Sequence, residues 1–440
     1  MMKHTSFFYR LALVAVCLLC SASAFAENLA EKLRTLAAVN QIETLESNDK
    51  LEKLVCFIEQ QVDWENKEAG NFKQRIILKH RGFDKPTVMV TEGYGAAYAL
   101  NPGYQEELST LLDANLVFVE HRYFLESTPQ PCNWDHLTVA NSAGDYHHIR
   151  QLFGTIYPGK WFTTGISKGG QTTLFYRTFY PNDVDGSVAY VAPLNKSLED
   201  GRHQPFLKNI THKAACKAVQ DFQLEVLKRR STIQPLFEAY CKEKGYTFRV
   251  PMDEIFDLTV LEYEFAFWQW GNNYQEIPSS KESDAKLCET LLKACEPDYF
   301  SSQSPYTSFN VQAMREIGYY GYDIKPFKGL LTIDHAEGYM RRVMIPESLS
   351  YIEFDTNLYE RVNKFLAEKD IPMIFIYGEN DPWTASGVTW LKGKNNMHVF
   401  IEPEGSHLAR VGTMPEETQK QIKRILNEWK KQQSDKSSIR

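Results

Sequence analysis

The chain is short of the features that mark metal, nucleic-acid and membrane proteins. Past residue 26 it holds six cysteines, Cys56, Cys132, Cys216, Cys241, Cys288 and Cys295, and none is spaced as Cys-x-x-Cys. That excludes a zinc ribbon or a dithiol redox motif, and no metal or other cofactor is expected. No apolar run there is long enough to cross a bilayer, and there is no low-complexity tract and no internal repeat. Positive charge is in deficit as well: 49 Lys and Arg face 56 Asp and Glu, a net charge of −7. Such a balance speaks against nucleic acid or an anionic membrane surface as a partner.

The N-terminus carries an export address. Lys3 and Arg10 give a positive n-region, Leu11 to Cys20 an apolar h-region, and Ala24-Phe25-Ala26 a small-residue cleavage site. Residues 1–26 therefore read as a signal peptide, with Glu27 as the new N-terminus. Its apolar part is too short to span a bilayer comfortably. Cys20 follows Leu19, a larger residue than lipoprotein cleavage sites usually accept, so soluble export to the periplasm or the extracellular medium is expected. Cleavage removes Lys3 and Arg10 and no acidic residue, which moves the formal charge to −9 and leaves 414 residues. That length suits one large domain with a substantial insertion, or two domains. In an oxidising compartment some of the six cysteines can pair. Local pairs within 216–241 and 288–295 are the first expectation among the 15 full pairings six cysteines allow.

From Glu27 to Asn71 the pattern reads as exposed helix, with Leu51, Leu54, Val55 and Ile58 at helical spacing. Phe72 to Arg81 alternates as an outer strand. Short apolar strands then alternate with helices: Pro86–Thr91, Asn115–Val119, a helix over Ala143–Tyr157, Trp161–Ile166, a helix over Thr172–Tyr180, and Ser187–Ala192. That rhythm predicts a parallel sheet covered on both faces. It breaks at Pro193. Residues 194–370 are mostly helical and rich in Lys, Glu and aromatics. The sheet pattern resumes at Ile371–Gly378 and Met397–Ile401, and a polar helix follows from about Pro415. The expected organisation is a sheet domain over 27–193 and 371–440, interrupted by a helical cap over 194–370.

Within the sheet, Thr164-Gly165-Ile166-Ser167-Lys168-Gly169-Gly170 places Gly-x-Ser-x-Gly between a buried strand and a helix, the context a nucleophile elbow requires. A serine hydroxyl needs a base to take its proton, and the base needs a carboxylate to fix its tautomer. Both lie downstream in the order Ser, Asp, His. Asp381 follows a strand in Gly378-Glu379-Asn380-Asp381-Pro382-Trp383, and His407 follows the next one, 26 residues on. Ser167 is thus the expected nucleophile, His407 the general base and then acid, and Asp381 the orienting carboxylate. Glu379 competes for the acid role, and Asp334-His335 offers a rival pair inside the helical region. The oxyanion requires two backbone N–H donors, expected from Lys168 and from Tyr94 in the turn Glu92-Gly93-Tyr94-Gly95.

Together with Glu120-His121-Arg122-Tyr123-Phe124 and Phe265-Ala266-Phe267-Trp268-Gln269-Trp270-Gly271, these motifs give the chain a specific resemblance. It resembles the secreted bacterial prolyl tri- and tetrapeptidyl aminopeptidases, and less closely prolyl carboxypeptidase and dipeptidyl peptidase relatives. The likeness spans nearly the whole chain after the signal peptide. It implies an α/β-hydrolase sheet with an inserted helical cap, the same triad, and release of short peptides from free N-termini after proline. The carboxypeptidase relatives carry an aromatic after the serine. Lys168 stands there instead and places this chain with the aminopeptidases.

A free N-terminus needs a carboxylate partner once desolvated. Glu120, Glu262 and Glu264 are the candidates, with a salt bridge to Arg122 or another base as the competing role for Glu120. Tyr263 to Trp270 supplies aromatics able to stack on a proline ring or to serve as cap core. The expected partner is a peptide with proline near its N-terminus. The competing enzyme reading is a carboxylesterase or lipase with the same triad, which would want an apolar acyl tunnel rather than a charged, Trp- and Tyr-rich cap. A non-catalytic binding protein would have no need of all three triad residues.

Overall fold

A computed structural model describes residues 28–432. The expected signal peptide, with Cys20, lies outside them. After a short helix α1 (Leu29–Arg34), strands β1 (Val39–Leu45), β2 (Glu52–Gln61) and β3 (Asn71–His80) run antiparallel and open a nine-stranded sheet ordered β1-β2-β3-β5-β4-β6-β7-β8-β9. The remaining strands are β4 (Thr87–Thr91), β5 (Asn115–Val119), β6 (Trp161–Ile166), β7 (Gly186–Tyr190), β8 (Met373–Gly378) and β9 (Met397–Glu402), all mutually parallel. This is an α/β-hydrolase sheet.

The exposed helix expected over 27–71 is not there. Leu54, Cys56 and Ile58 point into one apolar cluster while Val55 points into another, a two-residue period that the helical spacing of Leu51, Leu54, Val55 and Ile58 conceals. Ten consecutive pairs with β3 hold β2 in register, and tertiary pairing decides an ambiguous local pattern. As a consequence β3 is not an outer strand but lies third from the edge.

The central strands alternate strictly. Trp161 joins the cluster under helix α3 (Val139–Gly154), which holds Tyr146, Ile149 and Phe153; Phe162 joins the opposite one with Leu108, Leu112, Ile425 and Trp429. The second cluster is roofed by α2 (Glu107–Leu112) and by α12 (Glu416–Lys431). Helix α4 (Lys168–Phe179) starts directly after Ser167, four residues earlier than the pattern suggests.

Between β7 and β8 the described chain forms helices and turns: α5 (His203–Asn209), α6 (Lys213–Lys228), α7 (Arg230–Lys244), α8 (Met252–Gln269), α9 (Asp284–Ala294), α10 (Thr307–Gln312) and α11 (Asn357–Glu368). Helix α11 packs on α4, with the Arg361 guanidinium 3.6 Å from the Phe179 ring, so it covers the sheet. The central helix α8 is apolar nearly all round, as a helix surrounded by protein must be. Its residues share one apolar core with Phe175, Tyr377 and Trp383 at the carboxyl end of the sheet. All six described cysteines are free thiols. Cys288 and Cys295 are seven residues apart, Cys288 within α9 and Cys295 at its C-terminal end, which along a helix is about 10 Å and too far for a disulfide. Cys241, expected to pair locally with Cys216, is buried beside Cys288 instead.

Candidate active site

At the end of β6 the chain reverses through Ser167, whose φ of 58° and ψ of −120° put a non-glycine residue in a region L-residues rarely adopt. The turn holds because its neighbours have no side chains. A Cβ on Gly165 would run into the Gly169 backbone, and one on Gly93 would lie 2.6 Å from Lys168 Cβ. The Ser167 N–H donates to the Tyr190 carbonyl at 2.9 Å, and its own carbonyl accepts from Gln171 N at 2.9 Å. Serine is thus fixed at the carboxyl edge of the sheet with its side chain outward.

The acid and base meet at the same edge. Asp381 is wholly buried, and one of its oxygens accepts from Trp383 N at 3.1 Å. The other accepts from His407 Nδ1 at 2.7 Å. That bond fixes the tautomer that leaves Nε2 with a lone pair. Nε2 is buried and has no hydrogen-bond partner among the described residues. Two indoles adjoin the imidazole, with ring centres 6.5 Å away for Trp383 and 6.1 Å away for Trp270. Trp383 in turn lines a small cavity with Ser167, Tyr94, Gln171, Asn195 and Phe309. Glu379 is exposed and accepts from Glu404 N at 2.8 Å, while Asp334 and His335 are exposed in a cap turn.

Lys168 opens α4, and its side chain, which the sequence pattern left without a role, folds back. Its Nζ donates to the Gly93 carbonyl at 2.6 Å and sits 5.7 Å from the Tyr94 ring and 5.4 Å from the Phe124 ring. Burial lowers the ammonium pKa to about 7, against the nearby Glu92 and Glu316 carboxylates, which favour the charge. Burial also raises the Glu92 carboxyl, toward which the Gly93 and Tyr94 N–H groups lie.

The sequence profile of the PS-10 peptidase S37 family matches residues 25–437. The chain belongs to that family. As an S37 peptidase it is a serine peptidase, in keeping with the strained serine and the buried Asp–His pair. It is 33% identical over 376 residues to a prolyl tri/tetrapeptidyl aminopeptidase of Streptomyces mobaraensis, covering 82% of this chain and 76% of that one. A lysosomal Pro-X carboxypeptidase of Bos taurus is 20% identical over 409 residues, 80% of this chain and 82% of the other. Among solved structures, proline iminopeptidase of Mycobacterium smegmatis aligns with a TM-score of 0.37 at 13% identity, over 89% of this chain and 99% of that one.

The three carboxylates considered for this S37 peptidase's substrate amine have different surroundings. Glu120 is fully buried and committed: it pairs with Arg75, accepts from Ala96 N at 2.8 Å, and accepts from Ser127 Oγ at 2.9 Å. Its base is therefore Arg75. Arg122 is held instead by both oxygens of Asp145 at 2.7 Å. Glu264 lies near Lys208 and Asp323, themselves an ion pair. Glu262 accepts only from phenols, Tyr320 Oη at 2.9 Å and Tyr322 Oη at 2.8 Å, and keeps a solvent-accessible edge. Burial pushes both Glu262 and Glu264 up to about 7. Tyr320 stacks on Phe265 at 3.6 Å and touches Trp383 at 5.2 Å, so an aromatic wall joins Glu262 to the serine cavity. The sequence signal for that wall was the aromatic run Gly318-Tyr319-Tyr320-Gly321-Tyr322 in an otherwise helical stretch.

Proposed function

We propose that this chain is an exported exopeptidase that releases tri- or tetrapeptides from free N-termini by cleavage after proline. The observation that carries the chemistry is the 2.7 Å Asp381–His407 bond, which leaves His407 Nε2 buried and unpaired beside the indole that also walls the Ser167 cavity. In this reading Ser167 Oγ attacks the carbonyl carbon of the proline while its proton passes to His407 Nε2. The C–N bond breaks as the imidazolium gives that proton to the leaving amine. Water then attacks the acyl-enzyme, giving one proton to His407, and Ser167 recovers its own. The Lys168 and Tyr94 N–H groups hold the oxyanion.

The cap, taken as 194–370, limits the substrate. The aromatic lining of Trp383, Phe309 and Tyr94 suits contact with the flat face of a proline ring. Beyond it, Glu262 takes the substrate ammonium, because Glu120 is engaged by Arg75 and Glu264 already lies near a lysine. The similarity to the Streptomyces mobaraensis aminopeptidase supports the peptide class. Export rests on the signal peptide read at residues 1–26. Among the described residues no helix is long and apolar enough to cross a membrane.

The test is a panel: a fluorogenic X-X-Pro substrate, a control lacking proline, and a short-chain ester. The first should be cleaved fastest. Ser167→Ala should fold normally and lose all but a trace of activity, on the scale of about 10⁶-fold for a missing nucleophile. A mutant keeping a tenth of the rate removes Ser167 from the role, and a dominant ester activity contradicts the substrate class.

A further inference from the structure

The serine cavity is walled in part by the buried aromatics Trp383 and Phe309, whereas two apolar side chains next to the histidine are exposed. Trp270 is 50% exposed and Leu408 is 53% exposed, and both adjoin His407. Leu408 follows it in sequence, and the Trp270 ring meets the imidazole edge-on at 6.1 Å. Their placement is fixed by the seam between cap and core. His407 N donates to the Gln269 carbonyl at the end of α8 at 2.9 Å, and the chain leaves α8 through Gly271 with φ 65°. A Cβ on Gly271 would lie 2.9 Å from Ser406 Oγ, so helix end and histidine loop are in contact.

The chemistry orients this seam. His407 Nε2 must hand its proton to the leaving nitrogen, so the departing chain starts beside the imidazole. The acyl half occupies the enclosed side, where Trp383 is 6% exposed. The departing half therefore extends toward the exposed side chains that adjoin the imidazole. We infer that Trp270 and Leu408 form the subsite for the residue just after the scissile proline, an apolar shelf that takes a large hydrophobic side chain. This rests on the peptidase reading proposed above. Covering two half-exposed apolar side chains removes further surface from water, and the gain is realised only when the incoming residue is itself large and apolar.

The experiment compares two peptides, identical through X-X-Pro, with leucine or glycine next. The wild-type kcat/KM ratio, leucine over glycine, should be about tenfold, the scale at which apolar pockets discriminate. Trp270→Ala should bring the ratio close to one, Trp270→Phe should keep most of it, and Leu408→Ser should lower it in part. If Trp270→Ala slows both peptides equally and keeps the ratio, the indole merely braces the histidine loop and the inference is overturned. A wild-type ratio near one also overturns it, with cleavage after proline left standing. Cleavage of neither peptide sinks the exopeptidase reading and the shelf with it.

Discussion

At the scale of single residues, the acid and the residue after the nucleophile are the sharpest points. Asp381 was legible because a carboxylate that must meet a histidine at the sheet edge sits in a short loop after a strand. The sequence already favoured it over Glu379, and the structure adds a difference in burial, with Asp381 buried and Glu379 exposed. Asp381→Asn should reduce kcat by about 10⁴ through loss of the histidine tautomer. Glu379→Gln should leave kcat near wild type, and the reverse order in steady-state rates contradicts the assignment. The Lys168 side chain was illegible, because its partner Gly93 is 75 residues away in sequence. By bonding that carbonyl it fixes the loop that carries the Tyr94 N–H. Lys168→Met should therefore cost about 10² in kcat, the scale of a misplaced oxyanion donor, with KM little changed. A rise in KM with kcat intact would assign Lys168 to binding instead.

At the scale of elements, the parallel strands were readable from sequence because both faces are buried and their apolar runs are continuous. The first two strands were not, because Leu54, Val55 and Ile58 satisfy helical and extended spacing at once and only the pairing with β3 decides. The central cap helix α8 shows a different limit. It carries Glu262 and Glu264, both partly buried, on a helix whose other side chains are mostly apolar and buried. For Glu264 the folded pKa, about 7, lies above its ordinary value because burial disfavours the charge. Folding then binds a proton between roughly pH 4.5 and 7, so the stabilising contribution is complete at acid pH and is lost as pH rises through 7. Glu264→Gln removes that dependence. Its melting temperature should exceed wild type by a few degrees at pH 8 and by little at pH 4.5, in paired thermal melts. Equal differences at both pH values would mean that the carboxylate titrates normally.

At the scale of the whole molecule, the proposed division of labour is a sheet that supplies a reactive serine with no preference for chain length and inserted helices that supply the limit. Insertion and triad order could both be read along the chain. The choice of Glu262 as the proposed partner of the substrate amine could not, because Tyr320 and Tyr322, which set it apart, lie 58 and 60 residues beyond it. Its pKa of about 7 adds a signature. Glu262 pairs with an ammonium only when ionised, so preference for free N-termini should grow as pH rises through 7 and fade above about 8 as the substrate amine loses its proton. Glu262→Gln should abolish that rise. The most direct measurement is the ratio of wild-type kcat/KM on one fluorogenic X-X-Pro substrate with its N-terminus free to that with it acetylated, at pH 7.5. A charge-assisted hydrogen bond, about 1.5–3 kcal/mol, predicts a ratio of roughly tenfold to a hundredfold in favour of the free substrate. Equal rates on the two would contradict the account.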